Sequence, residues 1–171
     1  LARLLYGGRI SLAVGLAAGQ QPYEQGLWRG SVYMPVTPMF HVHAWGLPYV
    51  ATLLGLKQVY PGRYVPERLL ALKRDEGVTY SHCVPTILQM ILDEAGPDAR
   101  LGPWTVIIGG SALPESLLRA AADIGITAVA GYGMSETGPV LPLSRHEDDD
   151  PRPAEHVRRW AGRPIPLVQI R

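Results

Sequence analysis

The sequence has few cysteines, little net charge and no long apolar run, and each of these excludes a class of protein. It contains one cysteine, Cys83, in 171 residues, which excludes an internal disulfide and any metal site built from several cysteines. Its 16 basic and 15 acidic residues leave a net charge of +1, so charge gives no reason to expect a nucleic-acid partner. The apolar run over 10–19 is shorter than the roughly 20 residues that cross a bilayer, and no transmembrane segment is predicted. A lone cysteine is typical of a reducing compartment, and we expect a cytoplasmic protein.

What the chain does contain is typical of a globular core. Hydrophobic residues make up 47% of it and charged residues 18%, a composition that favours a folded domain over disorder. A length of 171 residues suits one domain. The chain has no initiating methionine and ends in PLVQIR, which is typical of the start of a strand. We therefore expect an incomplete fragment of one domain, cut at both ends.

Short β-type runs alternate with helical segments from residue 31 onward. The predicted strands cover 31–36, 57–61, 78–84, 104–110 and 126–133, and the predicted helices cover 41–54, 65–77, 85–96 and 114–125. This alternation predicts an α/β fold with a partial doubly wound, mostly parallel sheet and flanking helices. The polar and charged stretch 144–158 is predicted to be a surface loop.

Four loops follow predicted strands and carry residues suited to chemistry. They are PMFHVHAWG (38–46), the stretch His82–Thr86, GGSALP (109–114) and GYGMSETGP (131–139). The carboxyl ends of parallel strands meet at one edge of a sheet, and open α/β sheets bind ligands there. We therefore expect the four loops to converge at that edge.

The two glycine-rich loops have features suited to a nucleotide. Gly109 and Gly110 permit a backbone to approach a flat ligand closely, although a tight turn between strand and helix would need glycine as well. The helix that follows them has unpaired amides at its start, which favour an anion or a polar ring edge. Tyr132 offers a ring face for stacking, and Ser135 with Glu136 forms a hard-oxygen pair suited to Mg²⁺ beside a phosphate. The competing interpretation is a strand that runs into a tight turn, with Glu136 solvated.

Two residue pairs raise the prospect of metal or nucleophilic chemistry. His41 and His43 could ligate zinc, but no third ligand has convincing spacing; His41 either lines a pocket or is an ordinary hydrogen-bonded histidine. Adjacent strand residues point to opposite faces, so His82 and Cys83 are not expected to act as base and nucleophile. We expect Cys83 to pack in the core.

Four motifs, in this order, carry a resemblance to a known family. They are VYMPVTPMFHVHAWGLPYVATLLGLKQVYPGRY (32–64), VTYSHCVPTILQMIL (78–92), VIIGGSALP (106–114) and GYGMSETGPV (131–140). Together they resemble the large domain of adenylate-forming, AMP-binding enzymes, and they are most similar to medium- and long-chain fatty-acyl-CoA synthetases. The likeness is close over 31–141. It implies a poorly matched lead-in (1–30), an α/β core (31–143), a charged surface loop (144–159) and the start of the next subdomain (160–171).

The resemblance also implies a reaction and a set of site residues. The family uses ATP and Mg²⁺ to convert a carboxylic acid into an acyl-adenylate and pyrophosphate, and coenzyme A then displaces AMP. The residues expected at the nucleotide are Gly110, Ser111, Ala112, Gly131, Tyr132, Gly133, Met134 and Ser135. Those expected at the acyl substrate are His41, Trp45, Gly46, Pro85 and Gly109. Glu136 is expected to coordinate Mg²⁺, and His41, Ser135 and Glu136 are the expected catalytic residues.

Several motifs of that family do not occur in these 171 residues. They are the Ser/Thr/Gly-rich phosphate loop ending in Pro-Lys-Gly, the Thr-Gly-Asp motif, the hinge, and the small domain with its catalytic lysine. We therefore expect the 171-residue chain to be inactive alone. The partners expected for a full-length enzyme are fatty acid, ATP and CoA, with that enzyme a homodimer. Alternatives are an adenylation enzyme for an aryl acid or for a fatty acid passed to a carrier protein, and a non-catalytic nucleotide-binding module or remnant.

Overall fold

The computed structural model describes residues 30–41, 44, 46–136, 142–144 and 151–164. Its strands are β1 (Val32–Pro35), β2 (Lys57–Gln58), β3 (Tyr80–Cys83), β4 (Trp104–Ile108), β5 (Ile126–Ala130), β6 (Pro142–Leu143) and β7 (Arg163–Pro164). Its helices are α1 (Leu47–Leu53), α2 (Pro66–Asp75), α3 (Pro85–Ala95), α4 (Glu115–Asp123) and α5 (Ala154–Arg158). Within these ranges, no helix combines the length and the apolar character that crossing a membrane requires.

Five strands form one parallel sheet in the order β2-β1-β3-β4-β5. The register places Tyr33 opposite Tyr80, Cys83 opposite Ile108, and Ile108 opposite Ala130. The central strands are nearly continuous apolar runs, such as WTVII in β4, because both faces of a parallel sheet are buried. The predicted α/β fold with a mostly parallel sheet and flanking helices is confirmed. Strands β6 and β7 pair antiparallel as a separate two-stranded sheet.

Side chains that alternate along the strands build a core on each face of the sheet. One core lies against α2, α3 and α4 and contains several of the largest buried side chains, among them Met34 and Trp104. Trp104 donates its indole N–H to the Ser81 hydroxyl at 3.0 Å, so the largest buried ring keeps its polar atom bonded. The other core packs α1 against four strand residues of the opposite face: Tyr33, Tyr80, Ile107 and Val129.

Two elements are shorter than the sequence predicts. Helix α1 begins at Leu47 rather than at 41, with Gly46 as its N-cap and Pro48 in its first turn. Proline has no amide for an interior helical position but fits a first turn, so the helix begins there. Strand β2 lies at the edge of the sheet and covers Lys57–Gln58 rather than 57–61, and Pro61 cannot donate to a continued ladder.

The prediction of a surface loop over 144–158 was wrong for residues 154–158, which form α5. Val157 of this helix is buried, with 5% of its surface exposed, and α5 contacts α4 and β5. Ser144 is buried as well: its hydroxyl donates to the Val157 carbonyl at 2.8 Å, and its amide donates to the Ala130 carbonyl at 3.0 Å. The charged composition indicated a loop, but one apolar side chain and two hydrogen bonds hold this segment against the end of β5.

Candidate functional site

Backbone hydrogen bonds bring the loops after the central strands to one edge of the sheet. The bonds, given as donor amide to acceptor carbonyl, are Val36 to His82 at 3.2 Å, Gly109 to Cys83 at 3.2 Å and Gly131 to Ile108 at 2.8 Å. Each bond continues the ladder just beyond a strand, so the first residue of each loop is held beside the neighbouring strand. The expected convergence of these loops is confirmed for the residues that the structure describes.

The strand order creates a switch point between β1 and β3. From β1 the chain moves outward to β2, then returns past β1 to form β3, β4 and β5 in turn. The loop after β1 leads to α1 and the loop after β3 leads to α3, and these helices belong to the cores on opposite faces. Open sheets bind ligands in the crevice between loops that diverge in this way. By this rule, the strand order favours a ligand between the loop that carries His41 and the loop that begins at Val84.

The loop after β4 requires glycine at one position. Gly110 has φ +86, which side chains rarely adopt, and a β-carbon there would lie 3.2 Å from Val84 Cγ1. Gly109 is buried, whereas Gly110, Ser111 and Ala112 are exposed. The turn itself therefore accounts for the glycine, and the exposed backbone over 110–112 remains accessible to a flat ligand.

The amino end of α4 already has a carboxylate from the protein itself. Pro114 is the N-cap and makes no side-chain capping bond, and Glu115 lies in the first turn. Glu115 pairs with Arg119 at 2.6 Å and also with Arg159. A negative charge in the first turn complements the helix dipole. Because the Glu115 carboxylate already lies at this helix end, a phosphate would gain less binding energy there than the unpaired amides of α4 alone would give. A polar ring edge suits the loop better.

The loop after β5 presents an aromatic ring and two oxygen-bearing side chains to solvent. Tyr132 exposes 47% of its surface and Met134 42%. Ser135 and Glu136 are exposed as well, whereas Gly131 and Gly133 are half-buried. An exposed ring beside a glycine-rich turn can stack on a planar ligand. Residues 137–140, which complete the motif, lie outside the described residues.

This loop offers a metal ion one carboxylate. Nowhere in the described part of the chain do three or more His, Cys, Asp or Glu side chains form a group that could hold a metal ion. Mg²⁺ is commonly held by one or two carboxylates, with phosphate oxygens and water completing its octahedron. Glu136 and the Ser135 hydroxyl therefore fit an ion that arrives with a phosphate. The zinc alternative also needs His43, which lies outside the described residues.

The loop after β1 is tightly turned, and its tip is exposed. The His41 amide donates to the Pro38 carbonyl at 2.8 Å, and the Ala44 amide donates to the His41 carbonyl at 2.9 Å. His41 is exposed, and Phe40 exposes 90% of its surface. These two successive turns fix where the His41 backbone lies relative to the end of β1.

The other residues expected at the acyl substrate are placed unevenly. Gly46 is buried just before α1, Gly109 is buried at the end of β4, and Pro85 is half-buried at the start of α3. Trp45 lies outside the described residues. The structure thus brings Pro85 and Gly109 to the same edge as His41, just beyond the ends of the neighbouring strands β3 and β4.

His82 and Cys83 belong to opposite faces of β3, as the strand periodicity predicts. Cys83 is fully buried in the core against α2, α3 and α4. Burial raises the pKa of its thiol to about 12. A thiol with that pKa stays protonated at neutral pH and is not a nucleophile. The expected core role of Cys83 is confirmed.

Sequence reasoning missed a buried polar chain beneath the loop after β1. The fully buried His82 ring is bonded at Nε2 to the Tyr33 hydroxyl (2.6 Å) and at Nδ1 to the Thr37 hydroxyl (3.2 Å). Thr37 also donates to the His82 carbonyl at 3.4 Å. Alternation along VTYSHCV places His82 on one face with Tyr80, but its pairing with Tyr33 depends on the register of β1 with β3, which no local pattern reveals.

Comparison with families of known proteins identifies the family of this chain. Residues 10–171 match the model of the AMP-binding enzyme family. The chain belongs to that family. The match includes all four loops at the carboxyl edge, which agrees with the resemblance found in their motifs.

Two curated relatives of this AMP-binding family member are fatty-acid–CoA ligases. It is 39% identical over 168 residues to a long-chain-fatty-acid–CoA ligase of Thermus thermophilus, covering 94% of this chain and 30% of that protein. It is 39% identical over 146 residues to a medium-chain-fatty-acid–CoA ligase of Ectopseudomonas oleovorans, covering 81% and 27%. The chain therefore spans about 30% of the length of these relatives.

A solved structure supports the same fold. O-succinylbenzoate coenzyme A synthetase from Bacillus subtilis, in complex with ATP and magnesium ion, superposes with a TM-score of 0.75 at 19% identity. The superposition covers 91% of this chain and 31% of that one. At this identity the likeness concerns the fold alone, and it extends over about a third of the solved chain.

Proposed function

We propose that this chain is part of an ATP- and Mg²⁺-dependent fatty-acid:CoA ligase. The observation that carries the proposal is the meeting of four loops, equipped with an exposed ring, hydroxyl, carboxylate and imidazole, at one edge of the sheet in an AMP-binding family member. The 39% identity to fatty-acid–CoA ligases supports a fatty acid as the substrate. A cytoplasmic location and a homodimeric full-length enzyme are further parts of the proposal, testable by fractionation and light scattering.

ATP binds across the two glycine-rich loops in this proposal. The exposed backbone over 110–112 borders the adenine, and Tyr132 stacks on its face. The Gly131–Ile108 hydrogen bond joins the start of the second loop to the strand that carries the first. The two halves of the adenine site are thus held together before the nucleotide arrives, which lowers the entropy lost on binding. The remaining nucleotide contacts are assigned to Gly131, Gly133 and Met134.

Glu136 is the residue that we assign to Mg²⁺. When bound, the ion neutralises charge on the phosphates. The Ser135 hydroxyl, which stands where the family usually has threonine, reaches a phosphate oxygen or the ion. Because Glu136 is the one carboxylate in the sequence of this loop, we expect affinity for Mg²⁺ to depend on the nucleotide.

The acid and the thiol react in the crevice between the loops after β1 and β3. A carboxylate oxygen of the fatty acid attacks the α-phosphorus of ATP, a C–O–P linkage forms, and pyrophosphate leaves. The sulfur of CoA then attacks the acyl carbon, AMP leaves with the bonding electron pair, and the thiol proton passes to water. His41, exposed at this crevice, hydrogen-bonds the acyl carboxylate and holds it for the first step. The acyl chain is assigned to Trp45, Gly46, Pro85 and Gly109.

Replacement of Glu136 tests this proposal in the full-length protein encoded by the gene. Fatty-acid-dependent exchange of pyrophosphate into ATP should fall about 100-fold or more in Glu136→Gln, since loss of a metal ligand removes several kcal/mol of charge stabilisation. Glu94→Gln is the matched control, because Glu94 is also an exposed glutamate but lies on α3, away from the carboxyl edge. Wild-type turnover in Glu136→Gln would mean that the metal site is misassigned.

The same assay separates the acids that could serve as substrates. The full-length protein is given short, medium and long fatty acids, an aryl acid, and either CoA or an acyl-carrier protein as the acceptor. We expect thioester formation with a fatty acid and CoA. Exchange with none of these acids would overturn the proposed function, and exchange confined to the aryl acid would correct the substrate.

A further inference from the structure

A buried chain of three side chains lies directly under the switch point of the sheet. Tyr33 and His82 have 1% and 0% of their surfaces exposed, and Thr37 has 4%. Tyr33 lies on β1, His82 on β3, and Thr37 two residues beyond the end of β1. The planes of the Tyr33 and His82 rings are nearly parallel, at an angle of 22°, and their centroids lie 5.7 Å apart. The Tyr33 hydroxyl lies 2.6 Å from Nε2 of His82, so both partners of this buried bond keep their polar atoms paired.

One arrangement of protons satisfies every bond of this chain. The Tyr33 hydroxyl donates to Nε2 of His82 (2.6 Å), and the Nδ1–H of His82 donates to the Thr37 hydroxyl (3.2 Å). The Thr37 hydroxyl then donates to the His82 carbonyl (3.4 Å). In this assignment the imidazole carries its proton on Nδ1, and each hydroxyl uses its one proton once.

These bonds attach the loop of His41 to the neighbouring strand. The His82 carbonyl accepts from the Val36 amide at 3.2 Å as well as from Thr37, and the His82 ring donates to Thr37. His82 therefore holds two successive residues at the point where the chain leaves β1. Four residues after Thr37, His41 lies at the end of a tight turn closed onto Pro38. A shift in the position of Thr37 therefore moves His41 as well, because few flexible bonds separate the two residues.

We infer that His82 is a positioning residue, which fixes the loop of His41 in the crevice without touching a substrate. This inference rests on the proposed function, since His41 is the residue assigned to the acyl carboxylate. The nucleotide loops follow β4 and β5 and make none of the three side-chain bonds. Loss of the hydrogen bonds that join Tyr33, His82 and Thr37 should therefore lower kcat/KM for the fatty acid, while the KM for ATP stays unchanged.

The chain offers a closely matched pair of variants for the test. Tyr33 and Tyr80 are register partners on the same face of the sheet, and both are buried. Tyr33→Phe removes the hydroxyl that bonds His82. Tyr80→Phe removes a hydroxyl that makes no hydrogen bond in the part of the chain the structure describes. Both variants keep the ring, so their difference reports the bond to His82.

The first measurement does not depend on activity. In the full-length protein, hydrogen exchange of the peptide that contains His41 and Ala44 should be roughly three- to tenfold faster in Tyr33→Phe, the effect of one net hydrogen bond. Tyr80→Phe should exchange at the wild-type rate. Thr37→Val should resemble Tyr33→Phe, and Thr37→Ser, which keeps the hydroxyl, should restore slow exchange. Equal exchange in Tyr33→Phe and Tyr80→Phe would overturn the inference whether or not the protein is a ligase.

The second measurement separates positioning from a merely structural role. In fatty-acid-dependent pyrophosphate exchange, kcat/KM for the acid should fall roughly three- to tenfold in Tyr33→Phe and Thr37→Val. The KM for ATP should not change. A parallel rise in the KM for ATP would show general loosening and would contradict the inference. If hydrogen exchange of the loop is faster in Tyr33→Phe but the protein has no adenylation activity, the link from His82 to the loop is retained. The proposed function is then overturned.

Discussion

Replacement of Gly110 by alanine should strain the nucleotide loop and lower the free energy of unfolding. Gly110 has φ +86, and an L-residue in the left-handed region loses roughly 1–2 kcal/mol. The new β-carbon would lie 3.2 Å from Val84 Cγ1, and a small shift of that side chain relieves the contact. We therefore expect the free energy of unfolding to fall by about 1–2 kcal/mol, measured by urea denaturation of the full-length protein.

Gly77→Ala is the matched control for this change. Gly77 has φ +68 and no heavy atom within 4 Å of an added β-carbon, and it follows α2, away from the carboxyl edge. It should lose a similar amount of stability. Only Gly110→Ala should raise the KM for ATP in pyrophosphate exchange, by roughly fivefold or more if 1 kcal/mol of the strain is expressed on binding. An equal rise in Gly77→Ala, or no rise in Gly110→Ala, would refute the assignment of this loop to the nucleotide.

Three further predictions concern the sheet and its turns. Gly125→Ala should lose about 2–5 kcal/mol, more than Gly77→Ala, because its β-carbon would lie 2.8 Å from the Gly102 nitrogen at φ +88; equal losses in urea denaturation would contradict this close packing. Cys83 should react with a maleimide at pH 8 at least about 100-fold more slowly in the native protein than in urea. Burial raises its pKa from 9.0 to about 12, so the unfolded thiol ionises first and stability falls as pH rises between those values. Cys83→Ala should remove about 1.4 kcal/mol per pH unit from that fall, and an unchanged slope would argue against the raised pKa.

The sheet and the convergence of its loops could be predicted because their signals are local. WTVII and ITAVA are apolar runs of strand length, and Pro66 and Pro85 occupy the first turns of α2 and α3. Because the carboxyl ends of parallel strands lie at one edge of the sheet, the convergence of the loops follows from the strands alone. The edges of these elements were less predictable, since α1 could not begin before Gly46 and β2 could not extend to Pro61.

The features that sequence reasoning missed depend on pairs of distant residues. Tyr33 and His82 are 49 positions apart and meet only through the register of β1 with β3. Likewise, α5 lies against β5 because Val157 is buried and accepts a hydrogen bond from Ser144. A local window of sequence never contains both Tyr33 and His82, and Ser144 and Val157 are themselves 13 positions apart. The roles of Tyr132 and Glu136 toward ATP came from motifs, and they stay predictions that their exposed positions support.

The central claim is that the carboxyl edge of this sheet binds ATP, Mg²⁺ and a fatty acid together. A crystal structure of the full-length protein with a non-hydrolysable ATP analogue, Mg²⁺ and a fatty acid tests it most directly. We expect the adenine to lie against Tyr132 and beside residues 110–112, the Mg²⁺ to be bound by Glu136, and the acyl carboxylate to lie within hydrogen-bond distance of His41. A nucleotide bound away from the two glycine-rich loops, or a Mg²⁺ ion that Glu136 does not contact, would contradict that claim.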